Sequence, residues 1–148
     1  RENCKATAID KSLKALKVAK LNAEMHHVQK KIKFLNIDVD KYLANKYDLI
    51  VSNPPYIKDI EILSLDKDVK LNEPKLALSG GKSGLNKVFK VIKKSQKLLK
   101  TNGKLILEIG FKQSKEVKKY LIKNNFNQIH VFKDLSRKDR CIVSTKAN

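Results

Sequence analysis

Residues 47–56 read YDLIVSNPPY, an apolar run that is followed at once by a proline-stiffened turn. A near-continuous apolar run is typical of a strand that is buried on both faces, as in the centre of a parallel sheet. Pro54 and Pro55 fix φ and remove two backbone N–H donors, so the turn is rigid and rich in free carbonyl acceptors. In open parallel sheets, ligands bind at the carboxyl ends of the strands. This stretch therefore predicts an α/β sheet with a binding site directly after the strand.

Alternating strand and helix signals surround this stretch on both sides. Apolar spacing predicts further strands at residues 5–9, 31–35, 104–109, 127–132 and 141–144, and helices at residues 13–23, 85–99 and 114–121. Ser12 is expected to cap the first helix, and Asn102-Gly103 to end the second. Residues 58–79 lack such spacing and are expected to form a long loop with room for one short helix. Loops of that length are uncommon unless they are functional. A polar turn joins the last two strands, which predicts an antiparallel pair. The pattern predicts a three-layer α/β domain with helices on both faces of a mostly parallel sheet.

Composition narrows the class of protein. The 148 residues include 41% hydrophobic and 32% charged residues, which is typical of a folded globular domain. No apolar run approaches the ~20 residues that span a bilayer, and the first residues lack the apolar stretch of a signal peptide. Cys4 and Cys141 have no C-x-x-C spacing, so we expect two reduced, buried thiols and a cytoplasmic protein. His26, His27 and His130 show no metal-ligand spacing, and no metal site is predicted.

The formal net charge of +18 raises the question of a nucleic-acid partner. Nearly all of the positive charge comes from lysines that are scattered over every predicted helix, whereas arginine occurs only at positions 1, 137 and 140. Arginine is the preferred residue for binding phosphates and base edges, so its scarcity disfavours a dedicated nucleic-acid surface. We expect only a weak attraction to RNA-rich surroundings.

The side chains of the turn at residues 53–56 fit a planar amino group. Such an –NH2 group carries two donors, which Asn53 Oδ1 and the Pro54 carbonyl can accept, and Tyr56 can stack on its flat face. Fixing both hydrogens aims the nitrogen at an electrophile, and for a poorly nucleophilic amide such orientation supplies most of the rate. The competing interpretation is a tight Pro-Pro turn that merely caps a core strand. The preceding apolar strand and the aromatic residue favour the chemical interpretation.

A buried strand that ends in Asn-Pro-Pro-Tyr resembles the catalytic motif of S-adenosylmethionine-dependent methyltransferases that act on amide or exocyclic nitrogen. A wider series of motifs resembles the HemK/PrmC family, the peptide chain release factor glutamine methyltransferases. In chain order the series is Asn53-Pro54-Pro55-Tyr56-Ile57, Glu73-Pro74, Ala77-Leu78-Ser79-Gly80-Gly81, Gly84-Leu85, Leu107-Glu108-Ile109-Gly110, Asp134-Leu135-Ser136 and Arg140. The resemblance covers nearly the whole chain and implies a Rossmann-like class I methyltransferase fold.

The resemblance also implies which residues bind the cofactor, S-adenosylmethionine. Asp10, at the end of the first predicted strand, resembles the acidic residue that binds the ribose hydroxyls. Asp38 resembles the residue that accepts the adenine amino group, with Val39 packing on the ring. Asp40 is a competing choice for that acceptor, and Asn53 is expected beside the methyl donor.

For the substrate, the resemblance implies a clamp that consists of Asn53, Pro54, Pro55 and Tyr56. All four are expected to bind the glutamine, and Asn53, Pro54 and Tyr56 are the expected catalytic residues. Glu73 lies in the long loop and would help to shape the substrate side, but no chemical role is assigned to it.

The chain opens on Arg1, and no glycine-rich cofactor loop precedes Asp10. We therefore expect residues 1–148 to be a partial catalytic domain, the C-terminal portion of such an enzyme without its first strand and glycine-rich loop. In this fold that strand lies between the strands that end at Asp10 and at Asn53. Unpaired buried backbone groups cost ~1–3 kcal/mol each. The chain alone is expected to fold poorly and not to bind the cofactor.

Three functions are considered. The leading hypothesis is methyl transfer from S-adenosylmethionine to the glutamine amide of the Gly-Gly-Gln loop in peptide chain release factors. The alternative is methylation of the adenine amino group in rRNA or DNA, because that group is also a planar –NH2 and the net charge favours it slightly. The third is a binding module without catalytic activity.

Overall fold

The computed structural model describes residues 4–43, 46–64 and 74–148. The chain divides into two compact units, Arg1–Leu43 and Ala44–Asn148. Glu73, which was expected to shape the substrate side, lies outside the described residues. In the described part of the chain, no helix has both the length and the apolar character that crossing a bilayer requires.

The first unit is a β-α-β arrangement. It consists of strand β1 (Ala6–Asp10), helix α1 (Leu13–Met25), one turn of 3₁₀ helix (Gln29–Lys31) and strand β2 (Ile32–Asn36). The two strands are parallel and Asp10 lies opposite Asn36, so both residues stand at the carboxyl edge of this sheet. Ser12 caps α1 as predicted, because its Oγ accepts a hydrogen bond from the Ala15 N–H at 3.2 Å.

The second unit is built on a four-stranded sheet. Its elements are β3 (Tyr47–Ser52), α2 (Asp59–Ile62), α3 (Lys75–Leu78), α4 (Asn86–Leu98), β4 (Leu99–Glu108), α5 (Ser114–Lys123), β5 (Phe126–Lys133) and β6 (Asp139–Lys146). The strand order is β3-β4-β6-β5, with β3 parallel to β4 and β6 antiparallel to both of its neighbours. The predicted α/β class and the predicted antiparallel pairing of the last two strands are confirmed.

The core of the second unit lies between the sheet and the helices α4 and α5. The rings of Phe89 and Tyr120 stack with their centroids 3.9 Å apart and join the two helices. The buried apolar side chains of this core are Val88, Val91, Ile92, Leu99, Leu105, Leu107, Ile109, Val117, Leu121, Phe126 and Ile142. Since full burial of one such side chain contributes ~1.5–3 kcal/mol, this cluster supplies most of the driving force for folding of the unit.

One face of β3 is exposed, although its apolar sequence predicts burial on both faces. Leu49 and Val51 are 49% and 66% exposed, whereas Ile50 between them packs against the core. Side chains alternate along a strand, and α4 and α5 pack on the face that carries Ile50. The prediction of a strand buried on both faces is therefore wrong for this structure.

The boundary between α4 and β4 lies earlier than predicted. Helix α4 ends at Leu98, because Leu99 is already extended and pairs with Tyr47. Asn102, with a φ of +62°, instead bends the chain within the first part of β4. The region expected to be a long loop, residues 58–79, contains the two short helices α2 and α3 in its described part.

Candidate active site

The turn after β3 places two hydrogen-bond acceptors at the carboxyl edge of the sheet, as the sequence predicts. Asn53 is exposed, and the ring of Pro54 is buried. Within the described residues, neither the Asn53 side chain nor the Pro54 carbonyl has a hydrogen-bonding partner. Both oxygens are thus available to a ligand, and the proline sequence leaves no neighbouring N–H of its own to compete for them.

This turn borders a pocket with a volume of about 260 Å³. Residues 53–57 line it on one side, and Ala77 and Leu78 line it on the other. Pockets that bind drug-sized ligands usually measure about 300–1,000 Å³. The pocket is slightly smaller than these and has room for the end of one side chain.

Two charged side chains hold the hydroxyl of Tyr56. The hydroxyl donates to Glu108 Oε1 at 2.9 Å and accepts from Arg140 Nη1 at 3.1 Å. Arg140 also donates through Nε and Nη2 to Asp134 Oδ2, at 3.3 and 3.2 Å. Glu108 ends β4, and Asp134 lies in the turn between β5 and β6. The Asn-Pro-Pro-Tyr turn is thereby tied to two other segments of the second unit.

The surroundings of these groups shift their pKa values. Partial burial raises the pKa of Tyr56 above its ordinary value of 10.0, the hydrogen bond and negative charge of Glu108 raise it further, and Arg140 acts in the opposite direction. The hydrogen bond from the Lys138 N–H, together with the Arg140 guanidinium, lowers the pKa of Asp134. Tyr56 is therefore neutral at physiological pH and acts as a hydrogen-bonding group rather than as a base.

The residues that follow Tyr56 are braced by the segment around Ser79. Ile57 forms a parallel bridge with Ser79. The Ile57 N–H donates to the Leu78 carbonyl at 3.2 Å, and the Ile57 carbonyl accepts from the Gly80 N–H at 2.8 Å. The Ala-Leu-Ser-Gly-Gly motif thus acts as a short, strand-like partner that supports the far end of the turn.

Gln113 is a residue of the site that sequence reasoning missed. Its side chain bonds to the carbonyls of Tyr56 and Gly84 and to the N–H of Gly110. Gln113 stands at the N-cap position of α5 but makes no side-chain capping bond. A polar residue just before a predicted helix is ordinary, so no pattern in the sequence distinguishes it.

In the first unit, Asp10 lies at the end of β1 and is exposed, as predicted. Its Oδ1 accepts from the Ser12 N–H at 2.7 Å, and its Oδ2 has no hydrogen-bonding partner in the part of the chain that the structure describes. A carboxylate oxygen with free lone pairs suits a hydroxyl donor. Asn36, which sequence reasoning did not single out, donates to the carbonyls of Asp10 and Lys11 at 3.0 and 2.9 Å and fixes this strand end.

Asp38 follows β2 at the same edge of the two-stranded sheet. Its Oδ1 accepts from the Asp40 N–H at 2.9 Å, and its Oδ2 pairs with Lys11 Nζ at 2.9 Å. Val39 is half-buried and Asp40 is exposed. The side chain of Lys11, the residue after Asp10, thus pairs with Asp38, which the sequence did not predict.

Metal ligands and thiols contribute no further site. Among residues 4–43, 46–64 and 74–148, no group of His, Cys, Asp and Glu side chains could hold a metal ion. Cys4 and Cys141 are free thiols, and Cys4 is exposed. The prediction of two buried thiols is wrong for Cys4, because β1 begins only at Ala6 and Cys4 precedes the strand, and Cys141 in β6 is only half-buried.

The chain is similar in sequence to known methyltransferases. Residues 1–65 match the methyltransferase small domain family. A bifunctional methyltransferase of Rickettsia typhi is 37% identical over 147 residues, which are 99% of this chain and 28% of that protein. A release factor glutamine methyltransferase of Thermodesulfovibrio yellowstonii is 36% identical over 139 residues, which are 94% of this chain and 50% of that protein. The chain thus spans about half the length of the latter.

The fold is similar to that of solved methyltransferases. The crystal structure of a methyltransferase from Pyrococcus furiosus matches with a TM-score of 0.70 and 18% identity, and the match covers 99% of this chain and 64% of that one. An identity this low shows the fold alone. The predicted Rossmann-like methyltransferase fold is therefore confirmed.

Proposed function

We propose that the gene product containing this chain, which is 36% identical over 139 residues to a release factor glutamine methyltransferase, methylates a glutamine side-chain amide in a peptide chain release factor. The methyl donor is S-adenosylmethionine, and the glutamine is that of the Gly-Gly-Gln loop. Residues 1–148 supply part of the catalytic domain. The reaction takes place in the cytoplasm, where free thiols such as Cys4 and Cys141 stay reduced.

The observation that carries the proposal is the pair of unpartnered acceptors at the start of the turn. Asn53 Oδ1 and the Pro54 carbonyl can each accept one hydrogen of a substrate –NH2. The pocket beside them has a volume of about 260 Å³, which accommodates the amide of one glutamine side chain. Tyr56 lines the same pocket. These two acceptors would hold the amide in one plane, so that its nitrogen faces the methyl donor.

When bound, S-adenosylmethionine would supply its methyl carbon to the amide nitrogen, and its sulfur would keep the electron pair of the broken carbon–sulfur bond. The nitrogen then loses one proton to solvent. The turn contributes mainly by orientation, which can be worth ~7–11 kcal/mol of the barrier in well-aligned reactions. Tyr56 does not take the proton, because its pKa lies above 10.0 and it is already protonated.

Residues of the first unit would hold the cofactor. Asp10 would accept from the ribose hydroxyls through its Oδ2. Asp38 would accept from the adenine amino group and Val39 would pack on the ring. Since Lys11 Nζ already lies 2.9 Å from Asp38 Oδ2, the adenine amino group would share that carboxylate with Lys11.

A second candidate function is methylation of the adenine amino group in nucleic acid. The same two acceptors fit that planar group, and the net charge of +18 favours an anionic substrate. The three arginines of the chain are few for a surface that reads bases, which disfavours this candidate.

Labelled methyl donor distinguishes the two. We expect the gene product to transfer label from S-adenosylmethionine to a release factor, in the peptide that contains Gly-Gly-Gln, and not to rRNA or DNA. Label that appears only in nucleic acid would contradict the proposal and support the second candidate.

Asn53→Ala tests the clamp itself. Loss of one of two orienting bonds is expected to lower kcat by about 10²-fold. Asn22→Ala is the matched control, since Asn22 is exposed on α1, and it is expected to leave kcat unchanged. Equal activity of the two variants would show that Asn53 does not bind the reacting amide.

A further inference from the structure

We infer that Gln113 is a positioning residue for the Asn-Pro-Pro-Tyr turn. Its side chain is half-buried and joins three segments: the turn after β3, the glycine-containing segment before α4, and the loop after β4. Its effect on methyl transfer rests on the proposed function, whereas its role in holding the turn in place does not.

The amide of Gln113 uses donors and acceptor at once. Its Nε2 donates to the carbonyls of Tyr56 at 3.0 Å and of Gly84 at 3.2 Å. Its Oε1 accepts from the Gly110 N–H at 3.0 Å. Only a primary amide offers two donors and an acceptor in one plane, so neither a carboxylate nor an apolar side chain can make the same three bonds.

Two glycines make room for this amide. A Cβ at position 84 would lie 2.6 Å from the Tyr56 carbonyl oxygen and 2.9 Å from Gln113 Nε2. A Cβ at position 110 would lie 3.1 Å from Gln113 Cδ and Oε1. The close approach of the backbone to this side chain therefore requires glycine at position 84, whereas a Cβ at position 110 would crowd the end of the Gln113 side chain.

Gln113 completes the restraint of Tyr56. The hydroxyl end is held by Glu108 and Arg140, at 2.9 and 3.1 Å, and the carbonyl end by Gln113, at 3.0 Å. Pro54 and Pro55 directly precede Tyr56 and have restricted φ, so a fixed Tyr56 limits where the acceptors of the turn can point. Loss of the Gln113 bond is expected to free the carbonyl end and to disorient those acceptors.

Gln113→Glu in the gene product tests this inference, because it keeps the acceptor for Gly110 and removes both donors. Hydrogen exchange of the Ile57 and Gly80 amides is expected to accelerate at least tenfold, while exchange in β6 stays unchanged. We expect kcat to fall by about 10–100-fold, because a displacement of the orienting acceptors by about 1 Å can cost about 10²-fold in rate. The KM for S-adenosylmethionine is expected to stay within about twofold. Gln29→Glu, an exposed glutamine with the same charge change, is the control and is expected to alter none of these.

Four results have defined meanings. Exchange and kcat equal to those of Gln29→Glu would overturn the inference. So would acceleration to the same degree in β6, because this would show a general role in stability. Gln113→Met removes all three bonds without adding charge and is expected to reproduce the local acceleration. Hydrogen exchange needs no substrate. If Gln113→Glu accelerates exchange selectively while the wild-type protein methylates nothing, the proposed function is contradicted and the positioning role stays intact.

Discussion

Removal of the Tyr56 hydroxyl probes the network behind the turn without changing the shape of the ring. In Tyr56→Phe the aromatic ring still lines the pocket and packs against the core, but two hydrogen bonds are lost. These are the bond to Glu108 at 2.9 Å and the bond from Arg140 at 3.1 Å. The network predicts a measurable loss of stability for a change of one atom.

The magnitude follows from the charge and exposure of the partners. A hydrogen bond to a charged group contributes about 1.5–3 kcal/mol, and the partial exposure of this network reduces that contribution. Arg140 keeps both of its bonds to Asp134, so it is not left unpaired. Glu108 loses the phenol donor. We therefore expect Tyr56→Phe to lower the free energy of unfolding of the gene product by about 1.5–3 kcal/mol in total, rather than by the sum of two full bonds.

Urea unfolding measures this change as a shift in midpoint at constant m-value. The control is Tyr120→Phe, which removes a hydroxyl from a ring that stacks on Phe89, and we expect it to change the stability by less than about 0.5 kcal/mol. The pKa of Tyr56 is raised in the folded state, so its contribution is fully present below pH 10.0 and is lost as the pH rises through the folded-state pKa. Equal midpoints for the two variants, or a difference that persists unchanged well above pH 10, would refute the reasoning.

Two further substitutions examine the turn between β5 and β6 and the core. The pKa of Asp134 is lowered in the folded state, so Asp134→Asn is expected to cost stability above pH 3.8 and to lose this effect as the pH falls through the folded-state pKa. Urea unfolding at a series of pH values measures this. The control is Asp48→Asn, because Asp48 forms an exposed ion pair with Lys100. On α5, Leu121→Ala is expected to lower the free energy of unfolding by about 2–5 kcal/mol, because Leu121 is 0% exposed. Ile122→Ala is expected to lower it by less than about 0.5 kcal/mol, because Ile122 is 65% exposed. Similar losses for the two variants would show that the buried face of the helix is wrongly assigned.

The parts of the fold that depend on local spacing could be predicted from the sequence. The helical spacing of Val88 and Ile92 places them in the core with α4, and Ser12 caps α1. The end of α4 could not be predicted in this way. Leu99 continues the helical spacing of its neighbours, and its true place in a strand depends on pairing with Tyr47, 52 residues earlier. The exposure of one face of β3 could not be predicted either, because an apolar strand sequence does not show which element covers each of its faces.

Some residues of the candidate site could likewise be predicted from the sequence, and others could not. The proposed ligand-binding residues carry a recognisable pattern, because Asp10 ends β1 and Asn53 directly follows β3. Asn36 and Gln113 carry none, because their partners are backbone carbonyls 26 and 57 residues away. A backbone carbonyl is present at every position, so nothing in the sequence marks the one that a distant amide will reach.

The separated motifs of the second unit nevertheless have a common physical cause, because their described contacts converge on Tyr56 and Ile57. Leu-Glu-Ile-Gly supplies the carboxylate for the Tyr56 hydroxyl, and the Asp-Leu-Ser segment orients Arg140 against the same oxygen. Ala-Leu-Ser-Gly-Gly pairs with the next residue, Ile57. Two acceptors orient a weak nucleophile only as well as they are themselves held, and a misplacement of 1 Å can cost about 10²-fold in rate. On the proposed function, residues that do not touch the substrate are therefore under the same geometric demand as Asn53, and this demand accounts for motifs as far apart as positions 53 and 140.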